Sequence, residues 1–193
     1  MNIQDSIITD EVLAIRVQQG DATVFGDIVD RYTAKLERYG RKFLRDPENI
    51  TDLLQDIFIK VYENIQSFDA TQKFSPWIYR IAHNAFVNEL RKHSRSPIIN
   101  FDFDTLLSYQ VSGGESPVKD RETEEEKLMV SQGLEMLPPK YREVIVLHFL
   151  EEMSYKEIAD VLHIPIGTVG IRLARAKKMM HQAYKKLGIT YEQ

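Results

Sequence analysis

The stretch Ser154-Tyr-Lys-Glu-Ile-Ala-Asp-Val-Leu-His-Ile-Pro-Ile-Gly-Thr-Val169 decides the fold of the C-terminal part of the chain. Ser154 followed three residues later by Glu157 is a capping-box pattern, which predicts the start of a short helix. A turn of three or four residues follows, and Pro165 is suited to open a second helix. Two helices joined by so short a turn indicate a helix-turn-helix.

The second helix of this motif has two faces. Apolar residues recur at steps of three and four and predict the buried side: Ile166, Val169, Leu173, Ala176, Met180, Ala183 and Leu187. The opposite stripe is Thr168, Ile171, Arg172, Arg175, Lys178 and Met179, and its first five residues are the candidate DNA contacts. From Pro165 to Thr190 the chain has six Lys or Arg and no acid. Such a face fits the DNA major groove, where Arg pairs with guanine and Ile contacts a thymine methyl. The alternative is an ordinary solvated basic face.

Helical periodicity also extends outward from this motif. Apolar spacing predicts helices from Asp21 to about Phe43, from Pro47 to Ile65, and from Ser75 past Leu90. Asp46-Pro47 offers an N-cap with proline in the first turn. In the C-terminal part we expect helices over Leu128–Leu137, Tyr141–Leu150, Ser154–Leu162 and from about Pro165 to Leu187. The sequence therefore predicts an all-α protein with two small helical bundles.

The middle of the chain differs in composition from both flanks. Residues 94–119 hold two Pro and two Gly with several Ser and Asp, which predicts a linker. Residues 96–127 carry 3 basic and 8 acidic side chains, whereas residues 128–193 carry 9 basic and 7 acidic ones. We expect an N-terminal domain over 1–95, a flexible acidic linker over 96–122 and a helix-turn-helix domain over 123–193.

Length and composition exclude several classes of protein. The chain has 193 residues, 43% apolar residues, no Cys and a formal net charge of −4. Without Cys there is no disulfide, thiol nucleophile or Cys-ligated metal. No apolar run approaches the length of about 18 residues that spans a bilayer. Residues 1–11 carry three acids and no base, which argues against a signal peptide. We expect a cytoplasmic protein with no membrane insertion.

Two faces of the N-terminal helices are unusual. The helix after Ser75 carries a polar stripe with aromatic neighbours, which suits contacts to phosphates and stacking on unpaired bases. Its candidate residues are Phe74, Trp77, Tyr79, Arg80, His83, Asn84, Asn88 and Arg91. The preceding helix has an acidic face that suits a basic protein partner. Its candidate residues are Asp52, Leu53, Gln55, Asp56 and Ile59. In both cases a wetted helix face above a packed core is the alternative.

Taken together, these segments resemble the extracytoplasmic-function (ECF) group of bacterial RNA polymerase sigma factors. The resemblance covers residues 12–95 and 123–187, and four stretches carry it in order. They are Gly20-Asp21 with Phe25 to Tyr32; Asp52-Leu-Leu-Gln-Asp-Ile-Phe58; Phe74-Ser-Pro-Trp-Ile-Tyr-Arg-Ile-Ala-His-Asn84; and Leu137-Pro138 with the helix-turn-helix.

The resemblance implies a function for each face. The acidic face would dock on core RNA polymerase, and the stripe after Ser75 would read and open the −10 promoter element as single strand. The helix-turn-helix would read the −35 element as duplex. An anti-sigma factor is the implied regulator, and no cofactor, metal or catalytic residue is implied. The acidic linker would follow a path through the polymerase that nucleic acid otherwise occupies, or it would be a solvated tether.

The chain departs from the family pattern at several positions. Gly170 and Ile171 stand where Lys or Arg and Ser or Thr are usual, so the −35 preference is expected to differ. His83, Asn88 and Glu89 stand where Arg, Asp and Arg are frequent. The −10 helix is therefore expected to depend less on charge and more on hydrogen bonds.

Two other functions remain as alternatives at this stage. A free-standing transcriptional regulator would explain the helix-turn-helix but neither face of the N-terminal helices. A metal-dependent hydrolase would need a ligand cluster, and the five His form no His-x-x-x-His pair. We therefore expect a protein that is not an enzyme.

Overall fold

The computed structural model describes residues 8–41, 43–44, 46–93 and 124–186. The chain divides into two compact units, Met1–Ser94 (unit 1) and Arg95–Gln193 (unit 2). Within the described residues all regular structure is helical and there is no strand, which confirms the predicted fold class. The predicted linker and Leu187 lie outside the described residues.

The described residues of unit 1 form four α-helices: α1 (Asp10–Gln18), α2 (Phe25–Gly40), α3 (Pro47–Asn64) and α4 (Phe74–His93). The sequence pattern did not predict α1. Its buried side consists only of Leu13, Ala14 and Val17, while Val12 on the same short helix is exposed. A nine-residue helix with apolar residues on more than one side lacks a clear amphipathic period.

The caps of α2 and α3 explain where these helices begin. Asp21 accepts a hydrogen bond from the Thr23 N–H and starts a short 3-10 turn, so α2 begins at Phe25 rather than at Asp21. Asp46 accepts the Glu48 N–H at 3.0 Å with Pro47 in the first turn of α3. The predicted N-cap of α3 is therefore confirmed.

An aromatic cluster forms much of the core of unit 1. Tyr39 from α2 packs against Tyr79 and Phe86 from α4, and Phe43 stacks on Phe86 with ring centroids 5.5 Å apart. Gly40 lies where a Cβ atom would be only 2.5 Å from the Phe86 ring, so α2 and α4 approach closely at this point. This packing fixes which side of α4 faces solvent.

Unit 2 contains α5 (Glu124–Glu135), α6 (Pro139–Ile145), α7 (Tyr155–Leu162) and α8 (Ile166–Lys186). A π-helical turn, Val146–Leu150, continues α6. The N–H of the next residue, Glu151, donates to the Val146 carbonyl five residues back. The capping box at Ser154 and Glu157 is present with both reciprocal hydrogen bonds. His163 ends α7 in the left-handed conformation with φ of 53°. The predicted helix-turn-helix is α7 and α8.

Across the described parts of both units, every helix is too short or too polar to cross a membrane.

Candidate polymerase and nucleic-acid interfaces

The basic face of α8 is held outward by the apolar face beneath it. Val169, Leu173 and Ala176 are buried, and Ala183 continues this side toward the C-terminus. Arg175 and Lys178 are exposed, Arg172 and Thr168 are half-buried, and Ile171 is 56% exposed. All five predicted −35 residues therefore lie on one accessible side of α8. We name this surface, formed by Thr168, Ile171, Arg172, Arg175 and Lys178, the α8 face.

Two further residues beside the α8 face were not predicted as surface positions. Ile166 was expected to be buried, but it is 55% exposed because it lies in the first turn of α8 beyond the core of unit 2. Tyr155 opens α7 and is also exposed, and its ring lies 3.6 Å from where a Cβ atom on Gly170 would be. Sequence periodicity alone cannot identify this neighbour, because it comes from the other helix of the motif.

The polar stripe of α4 is confirmed as a surface, but it is narrower than the sequence predicted. Arg80, Asn84, Asn88 and Arg91 are exposed at steps of four, four and three along the helix. Trp77 is half-buried at its start, with its ring centroid 5.4 Å from those of Phe68 and Phe74. We name these five residues the α4 stripe (Trp77, Arg80, Asn84, Asn88, Arg91).

Three residues predicted to contact the −10 element are instead part of the core. Phe74 and Tyr79 have no exposed surface, since Phe74 packs on Tyr32 and Phe68 and Tyr79 packs on Tyr39. His83 is also buried, and its Nδ1 lies 2.9 Å from the Tyr39 hydroxyl. These three residues are not accessible in this structure, because α2 covers the side of α4 from which they project, and their contact with DNA stays a prediction.

The acidic face of α3 is present with one correction. Asp52, Gln55, Asp56 and Ile59 are exposed, and Ile59 is 56% exposed despite being apolar. Leu53 was predicted to be part of this surface, but it is buried with Leu54 and Ile57. We name the surface formed by Asp52, Gln55, Asp56 and Ile59 the α3 face. An exposed Ile between carboxylates favours a protein partner with both basic and apolar groups.

Two side chains on or just before α4, Lys92 and Asp69, have shifted pKa values. The Glu89 carboxylate accepts a hydrogen bond from Lys92 at 2.9 Å and raises the pKa of that lysine above its usual value. Asp69, in the connection between α3 and α4, accepts hydrogen bonds from the Thr71 N–H and hydroxyl, which lower the pKa of its carboxyl group. Asp69 therefore stays ionised at neutral pH and orders the turn before α4.

Unit 2 also has an apolar groove that the sequence did not predict. It encloses about 390 Å³, and Lys177 lies over the Phe149 ring at its edge. The remaining lining residues are Val130, Leu134, Ile145, Leu150, Met180, His181 and Tyr184. The apolar residues among them recur at the same helical spacing as core residues. The sequence pattern therefore could not distinguish the groove lining from the core.

Metal chemistry finds no support in the described part of the chain, where no three His, Asp or Glu side chains are grouped as a metal ion would require.

Both units match models of one class of transcription protein. Residues 28–96 match the family model described as Sigma-70 region 2, and residues 127–180 match Sigma-70, region 4. The first range contains the α3 face and the α4 stripe, and the second contains the helix-turn-helix. A sigma-70 type initiation factor is therefore the class that the fold and its surfaces define.

Full-length relatives give the particular family. The chain is 35% identical over 179 residues to the ECF RNA polymerase sigma factor SigW of Bacillus subtilis (strain 168), covering 89% of this chain and 95% of that one. It is 32% identical over 186 residues to the ECF RNA polymerase sigma-E factor of Escherichia coli (strain K12), covering 93% and 96%. The chain belongs to the ECF group of RNA polymerase sigma factors.

Solved structures share the fold. CnrH, solved in complex with the cytosolic domain of CnrY, superposes with a TM-score of 0.61 at 25% identity, covering 92% of this chain and 97% of that one. The sigma factor RpoE of Bartonella quintana, solved with the anti-sigma factor NepR, gives a TM-score of 0.63 at 22% identity over 83% of this chain and 96% of that one.

Proposed function

We propose that this chain binds core RNA polymerase and directs it to promoters, with the α8 face reading the −35 element and the α4 stripe reading the −10 element. The observation that carries this proposal is the helix-turn-helix with its basic, accessible α8 face. The sigma family assignment extends it from DNA binding to transcription initiation.

The α8 face supplies the chemistry for duplex recognition. Arg172 and Arg175 are one turn apart, so both can reach neighbouring positions in the major groove, where Arg pairs bidentately with guanine O6 and N7. Ile171 and Ile166 add apolar surface that suits thymine methyl groups. Gly170 removes one possible basic contact, so recognition depends more on this apolar surface than in relatives with Lys or Arg at that position.

The α4 stripe supplies a different chemistry. Arg80 and Arg91 suit phosphates, Asn84 and Asn88 suit base edges, and the half-exposed Trp77 ring suits stacking on an unpaired base. These contacts favour separated strands because a stacked duplex base cannot present its face to Trp77. The α4 stripe would therefore stabilise the opened −10 element.

The α3 face is proposed as the docking surface on core polymerase. Its carboxylates and the exposed Ile59 match a partner surface with basic and apolar groups. The functional domains are proposed as residues 1–95 and 123–193, with residues 96–122 as the acidic tether between them.

Regulation by a protein partner is part of the proposal. CnrH was solved with the cytosolic domain of CnrY. We infer that this chain is controlled by an anti-sigma factor, as its membership of the ECF group implies. We also infer that it acts in the cytoplasm as a binding protein and not as an enzyme.

Run-off transcription with purified core polymerase tests the proposal. The full chain should produce promoter-specific transcripts that core polymerase alone does not produce. Sequencing the 5′ ends made on genomic DNA would then define the −10 and −35 elements. A chain that binds duplex DNA tightly but never supports initiation would instead be a free-standing regulator.

A further inference from the structure

Helix α1 is hydrogen-bonded to the connection between α3 and α4. The Glu11 carboxylate accepts the backbone N–H of Phe74 at 2.9 Å, at the point where α4 begins. The Gln18 side-chain amide donates to two carbonyls of the connection, that of Ile65 at 2.7 Å and that of Phe68 at 2.9 Å. We name Glu11 and Gln18 the α1 clasp.

The clasp acts on the two residues that hold Trp77. The Trp77 ring centroid lies 5.4 Å from those of Phe68 and Phe74, and these two phenylalanines contact each other edge to face. Gln18 fixes the backbone of Phe68, and Glu11 fixes the backbone of Phe74. Both supports of Trp77 are therefore tied to α1, which precedes them by about 50 residues or more.

Helix α1, which carries the clasp, is anchored to α2. Asp10, next to Glu11, pairs with Arg31 of α2 at 2.6 Å and accepts the Tyr32 hydroxyl at 2.7 Å. Tyr32 also packs against Phe74 with ring centroids 5.6 Å apart. Helix α1 thus joins α2 to the start of α4.

From these contacts we propose that Glu11 and Gln18 are positioning residues for promoter opening, because they hold Trp77 at the start of the α4 stripe. This inference rests on the proposed function, and it adds α1 to the −10 machinery through its hydrogen bonds to the backbone of Phe68 and Phe74. The N–H of the first residue of a helix has no partner inside the helix, so a carboxylate there both satisfies it and interacts favourably with the helix dipole. Loss of that acceptor would let the first turn of α4, and with it Trp77, move.

The single Trp of the chain makes the proposal directly measurable. In full-length Glu11→Ala and Gln18→Ala, acrylamide should quench Trp77 fluorescence more strongly than in the wild-type protein. With core polymerase, open-complex formation on a duplex promoter should fall about three- to tenfold in each variant, the effect expected from losing the one hydrogen bond that holds the backbone of Phe74 or of Phe68. A template with the −10 region already unpaired should restore transcription to within about twofold, because strand separation is then no longer required.

Two further variants separate positioning from simple stability. Glu11→Gln keeps an oxygen that accepts the Phe74 N–H. Both the acrylamide quenching of Trp77 and duplex opening should therefore return to near the wild-type level. Arg16→Ala removes the ion pair between the same helix and Asp21 and leaves the clasp and the Asp10 contacts in place. It should leave duplex opening near the wild-type level at a temperature where circular dichroism finds every variant folded.

The outcomes are distinguishable. If Arg16→Ala impairs opening as much as Glu11→Ala, or if the unpaired template gives no recovery, the positioning role is overturned. Unchanged opening in both clasp variants overturns it as well. If the wild-type chain itself supports no initiation, the proposed function fails first, and the inference that rests on it fails with it.

Discussion

Arg142 supports the end of α5 through three hydrogen bonds. Its guanidinium donates to the carbonyls of Leu134 and Glu135 at 2.7 and 2.8 Å and to that of Leu137 at 3.1 Å. Burial lowers the pKa of this arginine from its usual value, and the carbonyl oxygens offset the cost of desolvating the charge. The last carbonyls of a helix need such partners because they have none within the helix.

Arg142→Ala should therefore destabilise unit 2 by about 2–4 kcal/mol, since it leaves three carbonyls without this donor. Arg142→Lys should recover only part of the loss, because an ammonium cannot reproduce the planar fork. Urea unfolding followed through the amide NMR signals of α5 and α6 measures both. Arg41→Ala is the control. It removes an exposed ion pair with Glu37 and should cost less than about 0.5 kcal/mol. Equal losses for Arg41 and Arg142 would contradict this interpretation.

Two glycines of α2 should respond in opposite directions to the same substitution. Gly40→Ala places a Cβ atom 2.5 Å from the Phe86 ring, which is stacked on Phe43 and cannot move freely. It should destabilise unit 1 by about 1–3 kcal/mol. Gly26 has open space around it, so Gly26→Ala should stabilise the helix by up to about 1 kcal/mol. Thermal unfolding compares the two, and a loss of stability in both would contradict the packing argument.

At the scale of elements, capped helices were predictable and packed faces were not. The capping box of α7 and the N-cap of α3 are local patterns, so the sequence alone was sufficient to predict them. The side of α4 that meets solvent depends on α2, which lies more than 30 residues away along the chain. The pattern therefore located the exposed Arg80 and Asn84, but it could not show that Tyr79 and His83 are covered by Tyr39. Helix α1 was missed because its nine residues lack a clear amphipathic period, and its hydrogen bonds to Ile65, Phe68 and Phe74 join residues that are far apart in sequence.

The α8 face yields a prediction for −35 recognition. Arg175→Ala should weaken binding of the holoenzyme to promoters that require a −35 element by about 1–3 kcal/mol if Arg175 pairs with a base. Run-off assays on promoters with and without that element measure the effect. Lys185→Ala removes the same charge from the exposed last turn of α8 and should have little effect. If the two variants behave alike, net charge and not the α8 face determines binding.

The α3 face yields a separate prediction for polymerase docking. Gln55→Ala combined with Asp56→Ala should reduce affinity for core polymerase without lowering the melting temperature, because both side chains are exposed. Fluorescence anisotropy of labelled full-length protein titrated with core polymerase measures the affinity. Asp30→Ala removes one exposed carboxylate from α2 and serves as the matched control. Unfolding of the double variant, or equal weakening by Asp30→Ala, would contradict the assignment.

At the scale of the whole molecule, charge follows the division of the chain. The net charge of −4 combines an N-terminal part with 13 basic and 14 acidic residues over 1–95, an acidic stretch over 96–127 and a basic final helix. A total close to neutral therefore conceals a surface suited to DNA and a segment that DNA would repel. This segmentation was predictable because it needs only the sequence. The surfaces on each unit needed the packing of helices that are far apart in the chain.

The acidic stretch carries the prediction for the intact complex. If it mimics a nucleic-acid path through the polymerase, Asp102→Asn, Asp104→Asn and Glu115→Gln together should change the yield of abortive transcripts while promoter binding stays intact. Neutralising the exposed Asp27, Asp30 and Glu48 of unit 1 removes the same charge elsewhere. Gel analysis of initial transcripts compares the two triple variants. An unchanged abortive pattern would favour a solvated tether.

The π-helical turn Val146–Leu150 has a consequence for how this chain tolerates changes of length. A π turn holds one more residue than the α-helical turn it replaces, as the hydrogen bond from Glu151 to Val146 demonstrates. Deleting one residue there would restore α-helical spacing and rotate the residues that follow it in this helix by about 100°. The exposed Phe149 and Leu150 would then compete with Val146 and Leu147 for the interior. Loss of one residue from this segment therefore changes the helical phase just before the helix-turn-helix. Its effect should be larger than that of shortening a loop by one residue.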